Sequence, residues 1–207
     1  MNTVRIVIFA KAPTPGIAKT RLIPALGAQG AADLARRMLG HTVAQALVAE
    51  VGPVELCVSP SQKEAIWQSL SLPTTIAWSD QGEGDLGIRM MRVTQRVTNT
   101  GESVLLIGTD CPALDAAYLR RSAESLRRTD AAMVPTADGG YALLGLNQCH
   151  PSLFEDIEWS TDTVAFETLR RLEQLGWKVR INLMLHDIDT PADLRWLPRA
   201  WLETVDQ

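Results

Sequence analysis

The stretch that decides the fold is Val104-Leu-Leu-Ile-Gly-Thr-Asp-Cys-Pro-Ala-Leu114, in which four consecutive apolar residues run into a single carboxylate and then a proline. A short apolar run bounded by turn residues predicts a strand buried on both faces, as at the centre of a parallel sheet. Pro112 cannot donate to a strand ladder and ends the strand. Asp110 is therefore expected at the carboxyl end of a central strand, where open α/β sheets bind ligands. The alternative is that Asp110 only caps a turn before a helix starting at Asp115.

Strands and helices alternate along the rest of the chain. Apolar runs predict strands at 4–10, 54–59, 74–78, 131–134 and 141–146, and an alternating pattern predicts a half-exposed strand at 179–185. Helical spacing predicts helices at about 34–47, 61–70, 86–97, 115–126 and 162–175, and a last helix from Thr190 and Pro191. This order predicts an α/β fold, a three-layer sandwich with a mostly parallel central sheet and right-handed crossovers.

The composition is that of an ordinary globular protein, with 46% hydrophobic and 21% charged residues among 207, and a single domain over residues 1–207 is the simplest organisation. The net charge of −4 and the absence of a basic run predict neither a nucleic acid polymer nor a membrane surface as partner. No segment approaches the roughly 18 apolar residues of a membrane span. Three widely spaced cysteines predict no disulfide framework and suit a cytoplasmic location.

A loop rich in cations follows the first predicted strand. It carries Lys11, Lys19 and Arg21, and Gly16 lets the backbone pass close to a ligand. Cations on a proline-stiffened loop suit a polyphosphate, because Arg offers a fork to two oxygens and Lys a compact charge. The alternative is a set of solvated surface charges beside a turn. Residues 13–20 have the length of a P-loop but lack both of its glycines, which argues against that class of enzyme.

Several motifs together resemble a known family. They are FAKAPTPGIAKTRL at 9–22, GDLG at 84–87, IGTDCP at 107–112 and DGGYALLG at 138–145, with WST at 159–161 and DIDTPADL at 187–194 also similar. In this order they resemble the DUF2064 family of small GT-A-like transferases, related to 2-phospholactate guanylyltransferase and to molybdenum-cofactor nucleotidyltransferases. The resemblance covers essentially the whole chain. It implies a nucleotide-diphospho-sugar transferase fold that binds a nucleotide and a divalent cation.

The resemblance also implies roles for individual residues. Asp110 corresponds to the carboxylate that holds the metal, and Lys19 and Arg21 correspond to a loop that faces phosphates, so these three are the predicted catalytic residues. The segment 187–194 implies a second metal ligand at Asp187 or Asp189, with the alternative that Asp189 only orders a turn. Mg²⁺ or Mn²⁺ held by one or two carboxylates and by substrate phosphates would be sufficient.

The pattern around Asp110 bears on the reaction. A glycosyltransferase D-x-D pair would need an acid at position 108 or 112, which are Gly108 and Pro112 here. A single strand-end carboxylate beside a basic loop favours nucleotidyl transfer from an NTP to a small phosphorylated or hydroxyl acceptor. Glycosyl transfer from an NDP-sugar is the alternative, and a non-catalytic nucleotide-binding protein is a second one. A homodimer is left open.

Two more groups of residues are predicted to border the ligands. Nucleotide binding is assigned to the basic loop and to the glycine loop that opens a helix, where free amides suit an anion: Ala10, Lys11, Gly16, Lys19, Arg21, Gly84, Asp85 and Gly87. Acceptor binding is assigned to the turn after the strand predicted beside the central one: Asp138, Gly139, Gly140 and Tyr141. The structural alternatives are turn geometry for the glycines and a hairpin turn at Asp138. Cys111 is expected to be a buried thiol and His186 to be structural.

Overall fold

The computed structural model describes residues 3–202 and contains one seven-stranded sheet. Its strands are β1 (Val4–Lys11), β2 (Val54–Ser59), β3 (Ala77–Asp80), β4 (Ser103–Ile107), β5 (Ala131–Pro135), β6 (Tyr141–Leu146) and β7 (Val179–Ile181), in the spatial order β3-β2-β1-β4-β6-β5-β7. Of these strands, β6 alone runs antiparallel to its neighbours. The predicted α/β fold with a mostly parallel sheet is confirmed.

Helices cover both faces of the sheet. They are α1 (Ile23–Ala49), α2 (Ala65–Gln68), α3 (Leu86–Thr98), α4 (Ala116–Ser125), α5 (Val164–Gln174) and α6 (Arg199–Leu202). Leu39 of α1 and Leu119 of α4 lie in the core on one face, and Val93 of α3 and Leu172 of α5 lie in the core on the other. The alternating strand faces explain this division, since successive side chains point to opposite sides. Within residues 3–202, no helix is both long and apolar enough to cross a membrane.

The strand β4 is the fourth of seven, and all five of its residues are buried. Its neighbour β1 is parallel, whereas its other neighbour is the antiparallel β6 rather than β5. The prediction that the turn at Asp138 follows the strand next to the centre is therefore wrong. Because β6 runs in the opposite direction, its first residues still lie at the edge where β1 and β4 end. The turn before β6 consequently reaches the same edge as Asp110.

Some element boundaries differ from the sequence prediction. Strand β3 spans Ala77–Asp80 rather than 74–78, because residues 74 and 75 form a turn. Strand β7 ends at Ile181 rather than at residue 185, since Leu183 and Met184 are exposed and leave the sheet. The chain returns at Leu185, whose amide donates to the Pro135 carbonyl at 2.9 Å.

The last predicted helix is a short 3₁₀ segment, Pro191–Trp196, followed by α6. A smaller hydrophobic cluster joins this C-terminal region to the start of α1; its buried members are Leu22, Ala31, Leu34, Met38, Ile188, Leu197 and Trp201. Burial of Ile188 fixes the position of the two aspartates on either side of it. The cluster therefore holds residues 187–189 beside the end of the basic loop.

Candidate active site

Three distant segments of the chain meet at the ammonium of Lys19. Its Nζ donates to Oδ1 of Asp189 at 2.7 Å and to the carbonyl oxygen of Ile188 at 2.7 Å, and it forms an ion pair with Oδ1 of Asp110 at 2.7 Å. Three oxygens thus surround a group that has three donors. Burial by itself lowers the pKa of Lys19, but the charges of Asp110 and Asp189 outweigh it and leave that pKa raised. Lys19 is thus a permanent cation between two carboxylates.

The local backbone explains why Lys19 turns inward. After β1 the chain folds over Thr14, whose carbonyl accepts from the amides of Ile17 and Ala18. Lys19 itself has a left-handed conformation, with φ of 49°, and a 3₁₀ turn over Thr20–Leu22 follows. For a residue other than glycine this conformation costs about 1 kcal/mol. The three charge-assisted contacts of Lys19 and the burial of Leu22 offset that cost.

Asp110 is held by its backbone and keeps its side chain open to solvent. Its carbonyl accepts from the amide of Ile188 at 2.8 Å, and the thiol of Cys111 donates to the His186 carbonyl at 3.2 Å. The Asp110 side chain is 52% exposed. The alternative was that Asp110 only caps the turn before α4. Its carboxylate pairs with Lys19 instead, and α4 is capped by Asp115, which accepts from the Tyr118 amide.

Asp187 differs from its neighbours because no basic side chain in residues 3–202 pairs with it. Burial, followed by the negative charge of Asp138, raises its pKa to about 6. Asp138 accepts from the Thr136 hydroxyl at 2.6 Å and from the Gly140 amide at 2.9 Å. The edge therefore carries one pair of carboxylates that shares a cation and one pair that does not.

The remaining predicted cations are exposed. Arg21 lies in the turn just after Lys19, and within residues 3–202 its side chain makes no hydrogen bond or ion pair. Lys11 ends β1 and is exposed as well. Gly16, with φ of 79°, has open space where a Cβ would be. The loop thus presents two free cations to solvent, whereas Lys19 is already engaged.

The predicted nucleotide loop is held by side chains of its own helix. Arg92 donates to the carbonyls of Gln81 and Glu83, and Arg89 donates to the carbonyl of Gly84. Asp85 caps α3 by accepting from the Ile88 amide at 2.9 Å. The sequence analysis missed both arginines. They are three positions apart and so share one face of the helix that follows the glycine loop, a pattern from which contacts to that loop could have been predicted.

Gln81 is a second residue that the sequence reasoning missed. It is buried, and its Nε2 donates to the carbonyls of Ala10 and Cys57, each at 3.1 Å. Gln81 thereby ties the carboxyl ends of β1 and β2 to the glycine loop. A Cβ on Gly87 would lie 2.3 Å from the Phe154 carbonyl oxygen, so close packing accounts for that glycine.

The residues predicted to bind the acceptor form the turn between β5 and β6. Gly139 has φ of 90°, and a Cβ there would lie 2.0 Å from the Asp162 carbonyl oxygen. Its own carbonyl accepts from the Ala165 amide at the start of α5. Burial raises the pKa of Tyr141, whose phenol oxygen is enclosed in the core. Asp138 and Gly140 remain near the surface, at the edge of the sheet where β6 begins.

Other reactive side chains near Asp110 are accounted for by packing. Burial raises the pKa of Cys111 to about 12, which suits an inert thiol rather than a nucleophile. His186 stacks on Trp196 with ring centroids 3.8 Å apart. His41 makes a 3.0 Å contact from Nε2 to the Pro112 carbonyl oxygen and so supports the loop after β4.

The donors at this edge suit a hard divalent cation, although residues 3–202 contain no cluster of three or more acidic, His or Cys ligands. Asp110 and Asp189 already surround one positive group, the Lys19 ammonium. Mg²⁺ usually takes only one or two protein carboxylates together with waters and substrate phosphates. The residues that would hold a metal are therefore Asp110 and Asp189.

Comparisons with known proteins agree with this description. Residues 42–161 match the profile of DUF2064, described as an uncharacterized protein conserved in bacteria. A protein of Desulfovibrio desulfuricans G20, provisionally described as a nucleotide-diphospho-sugar transferase, superposes with a TM-score of 0.88 at 28% identity, over 97% of this chain and 88% of that one. Among proteins with curated functions, none matches the chain.

More distant solved structures share the fold. Rv0371c of Mycobacterium tuberculosis H37Rv, solved in complex with manganese, gives a TM-score of 0.54 at 17% identity, over 94% of this chain and 97% of that one. A CMP:2-keto-3-deoxy-manno-octonic acid synthetase complexed with CTP gives a TM-score of 0.58 at 13% identity, over 98% and 99%. At these identities the likeness concerns the fold alone.

Proposed function

The chain belongs to the DUF2064 family, and from this premise we propose that it is a divalent-metal-dependent transferase that moves a nucleotidyl group from an NTP to a small phosphorylated or hydroxyl acceptor. In that reaction an acceptor oxygen forms a bond to the α-phosphorus while the bond to pyrophosphate breaks. The proposed site is the edge of the sheet where β1 and β4 end.

One observation carries the proposal: Asp110 and Asp189 each lie 2.7 Å from the Lys19 ammonium, although Lys19 and Asp189 are 170 positions apart in sequence. Two carboxylates and a cation at the carboxyl end of central strands are what a metal-bound phosphate needs. A divalent ion held by the carboxylates would neutralise charge on the transferred phosphate. Arg21 and Lys11, both exposed, are the cations free to meet further phosphate oxygens.

The fold neighbours support a nucleotide as the donor. One of them is solved with CTP and another with manganese. The D. desulfuricans protein, which shares 28% of its residues with this chain, is described as acting on nucleotide-diphospho-sugars. These descriptions belong to those proteins, and they make nucleotides the first ligands to test here.

Glycosyl transfer from an NDP-sugar is the second candidate, because the description of the D. desulfuricans protein favours it. The residues around Asp110 favour nucleotidyl transfer instead. Gly108 and Pro112 leave no second acid beside Asp110, and the partner carboxylate comes from Asp189 on a distant segment.

Product analysis separates the two chemistries. The protein is incubated with Mn²⁺, pooled sugar phosphates and alcohols, and either each NTP or each NDP-sugar. Nucleotidyl transfer releases pyrophosphate from an NTP, whereas glycosyl transfer releases a nucleoside diphosphate from an NDP-sugar. A thermal-shift panel of the same nucleotides identifies the base first, because stabilisation rises with ligand concentration over its dissociation constant. Failure of every nucleotide to stabilise the protein with Mn²⁺ present contradicts the proposal.

A further inference from the structure

We infer that the Lys19 ammonium is an internal cation that occupies the place of the metal, so that a divalent ion enters between Asp110 and Asp189 by displacing it. This inference rests on the proposed function and adds that Lys19 controls binding of the divalent ion at the same site. Lys19 then has two positions, one on the carboxylates and one on substrate phosphates.

The first argument is the saturation of the ammonium. It donates to Asp189 and to the Ile188 carbonyl and forms an ion pair with Asp110, each at 2.7 Å. A Lys side chain has three donors and no acceptor. With three oxygens already around it, the ammonium has no place for a phosphate while these contacts persist. A role in phosphate binding requires it to leave at least one carboxylate.

The second argument is that the carboxylates are positioned without Lys19. The amide of Ile188 donates to the carbonyl of Asp110, and Ile188 is fully buried in the cluster with Leu22 and Met38. The amide of Asp189 donates to the carboxylate of Asp193 at 3.2 Å. These backbone contacts do not involve the ammonium. The backbone that carries the two acidic side chains therefore keeps its place when the ammonium moves.

The third argument is that the Lys19 side chain is less exposed to solvent than the two carboxylates it contacts. The Lys19 side chain is 9% exposed, whereas the side chains of Asp110 and Asp189 are 52% and 36% exposed. The ammonium approaches the carboxylates from the protein side, and an ion from solution approaches them from the open side. Both cations compete for the same pair of carboxylates, because two positive charges held there repel each other.

The competition makes metal and nucleotide binding depend on each other. Metal alone must displace the ammonium and leave it without two of its acceptors in a buried position, which is costly. Nucleotide phosphates offer the displaced ammonium new acceptors. Metal binding is therefore weak without nucleotide and stronger with it, and removal of the ammonium should abolish this difference.

The test is an Mn²⁺ titration of the nucleotide-free protein, followed by electron paramagnetic resonance of the free ion. Lys19→Met keeps the length of the side chain without its charge and should bind Mn²⁺ at least about tenfold more tightly than the wild type. Arg21→Met removes the same charge from an exposed side chain two positions away and should gain less than about threefold. The double variant Lys19→Met/Asp189→Asn should lose the gain. Equal or weaker binding by Lys19→Met, or an equal gain by Arg21→Met, overturns the inference.

A second measurement uses the wild type and so does not depend on a variant folding. The ¹⁵Nζ resonance of Lys19, assigned by its absence in Lys19→Arg, should move when Mg²⁺ is added without nucleotide. Metal binding that leaves this resonance unchanged overturns the inference. Neither measurement contains a nucleotide, so the inference stands or falls separately from the transferase proposal.

Discussion

The two pairs of carboxylates at the active edge are the same residue type in different electrostatic surroundings. Asp110 and Asp189 share the Lys19 ammonium. Asp138 and Asp187 have no basic partner within residues 3–202, and burial together with the Asp138 charge raises the pKa of Asp187 to about 6. The Lys19 ammonium thus divides a single acidic edge into one pair whose charge is partly compensated and one pair that has no basic partner within residues 3–202.

The two pairs of carboxylates are also held in place by different contacts. The pair that shares Lys19 is positioned by the backbone around Ile188. The other pair is held by turn geometry, in which the Asp138 carboxylate accepts from Thr136 and Gly140 and the backbone of Gly139 packs on residue 162. Substitutions in the two halves should therefore affect different measurements.

The largest expected effect is on transfer, in the pair that shares Lys19. Asp110→Asn removes a charge that would hold the metal, so pyrophosphate release from an NTP should fall at least about hundredfold. The side chain is half exposed, so the free energy of unfolding should change by less than about 1 kcal/mol. Enzyme kinetics and urea unfolding measure the two quantities. Asp33→Asn, on the exposed surface of α1, is the control and should change neither. If the free energy of unfolding fell enough to explain the lost transfer by unfolding alone, Asp110 would not have a separate role in the reaction.

The next effect is on stability, in the half held by turn geometry. Gly139→Ala would place a Cβ 2.0 Å from the Asp162 carbonyl oxygen at a φ of 90°, and the free energy of unfolding should fall by about 3 kcal/mol. Gly16→Ala has a similar φ of 79° but open space around the new Cβ, so it should lose only about 1 kcal/mol. Urea unfolding compares them. Equal losses would mean that backbone conformation alone, without the contact at residue 162, sets the cost.

Asp187→Asn should stabilise the protein above pH 6 by about 1 kcal/mol, discounted for the partial exposure of the side chain. Folded Asp187 keeps its proton up to about pH 6, whereas the unfolded chain loses it near pH 3.8. Between these values the folded state binds more protons, so the free energy of unfolding of the wild type falls as the pH rises. Asn cannot ionise and avoids that loss. Thermal unfolding with EDTA at pH 8 and pH 3.5 measures the gain, which should vanish at the lower pH. Destabilisation at pH 8 would show that the ionised carboxylate has a stabilising partner.

Local pattern was sufficient for the fold and for the position of Asp110 just after the central strand. The apolar run 104–107 and its proline predicted a buried central strand ending at Asp110, and the structure confirms that strand. The antiparallel direction of β6 was not predictable, because a short buried run carries no information about direction. The end of β7 was missed since Leu183 continues the alternation although it lies outside the sheet.

Contacts between distant segments were beyond the sequence. Lys19 and Arg21 look equivalent in the printed chain, and both were predicted to face phosphates. Their difference depends on a left-handed backbone at Lys19 and on the burial of Ile188, 169 positions away. Neither feature produces a periodic pattern in the amino-acid sequence. Gln81 was missed for the same reason, since its two acceptors lie on other strands.

The smallest expected effect compares these two cations directly. Arg21→Met should raise the KM for the nucleotide by about threefold and leave kcat and the free energy of unfolding unchanged, because an exposed cation contributes at most about 1 kcal/mol. Steady-state kinetics over a range of salt concentrations measures it, and the difference from the wild type should shrink as salt increases. Lys19→Met should instead lower kcat and change metal affinity. If Arg21→Met reproduced that pattern, the division of the loop into a buried and an exposed cation would fail, and the two residues would form one phosphate site.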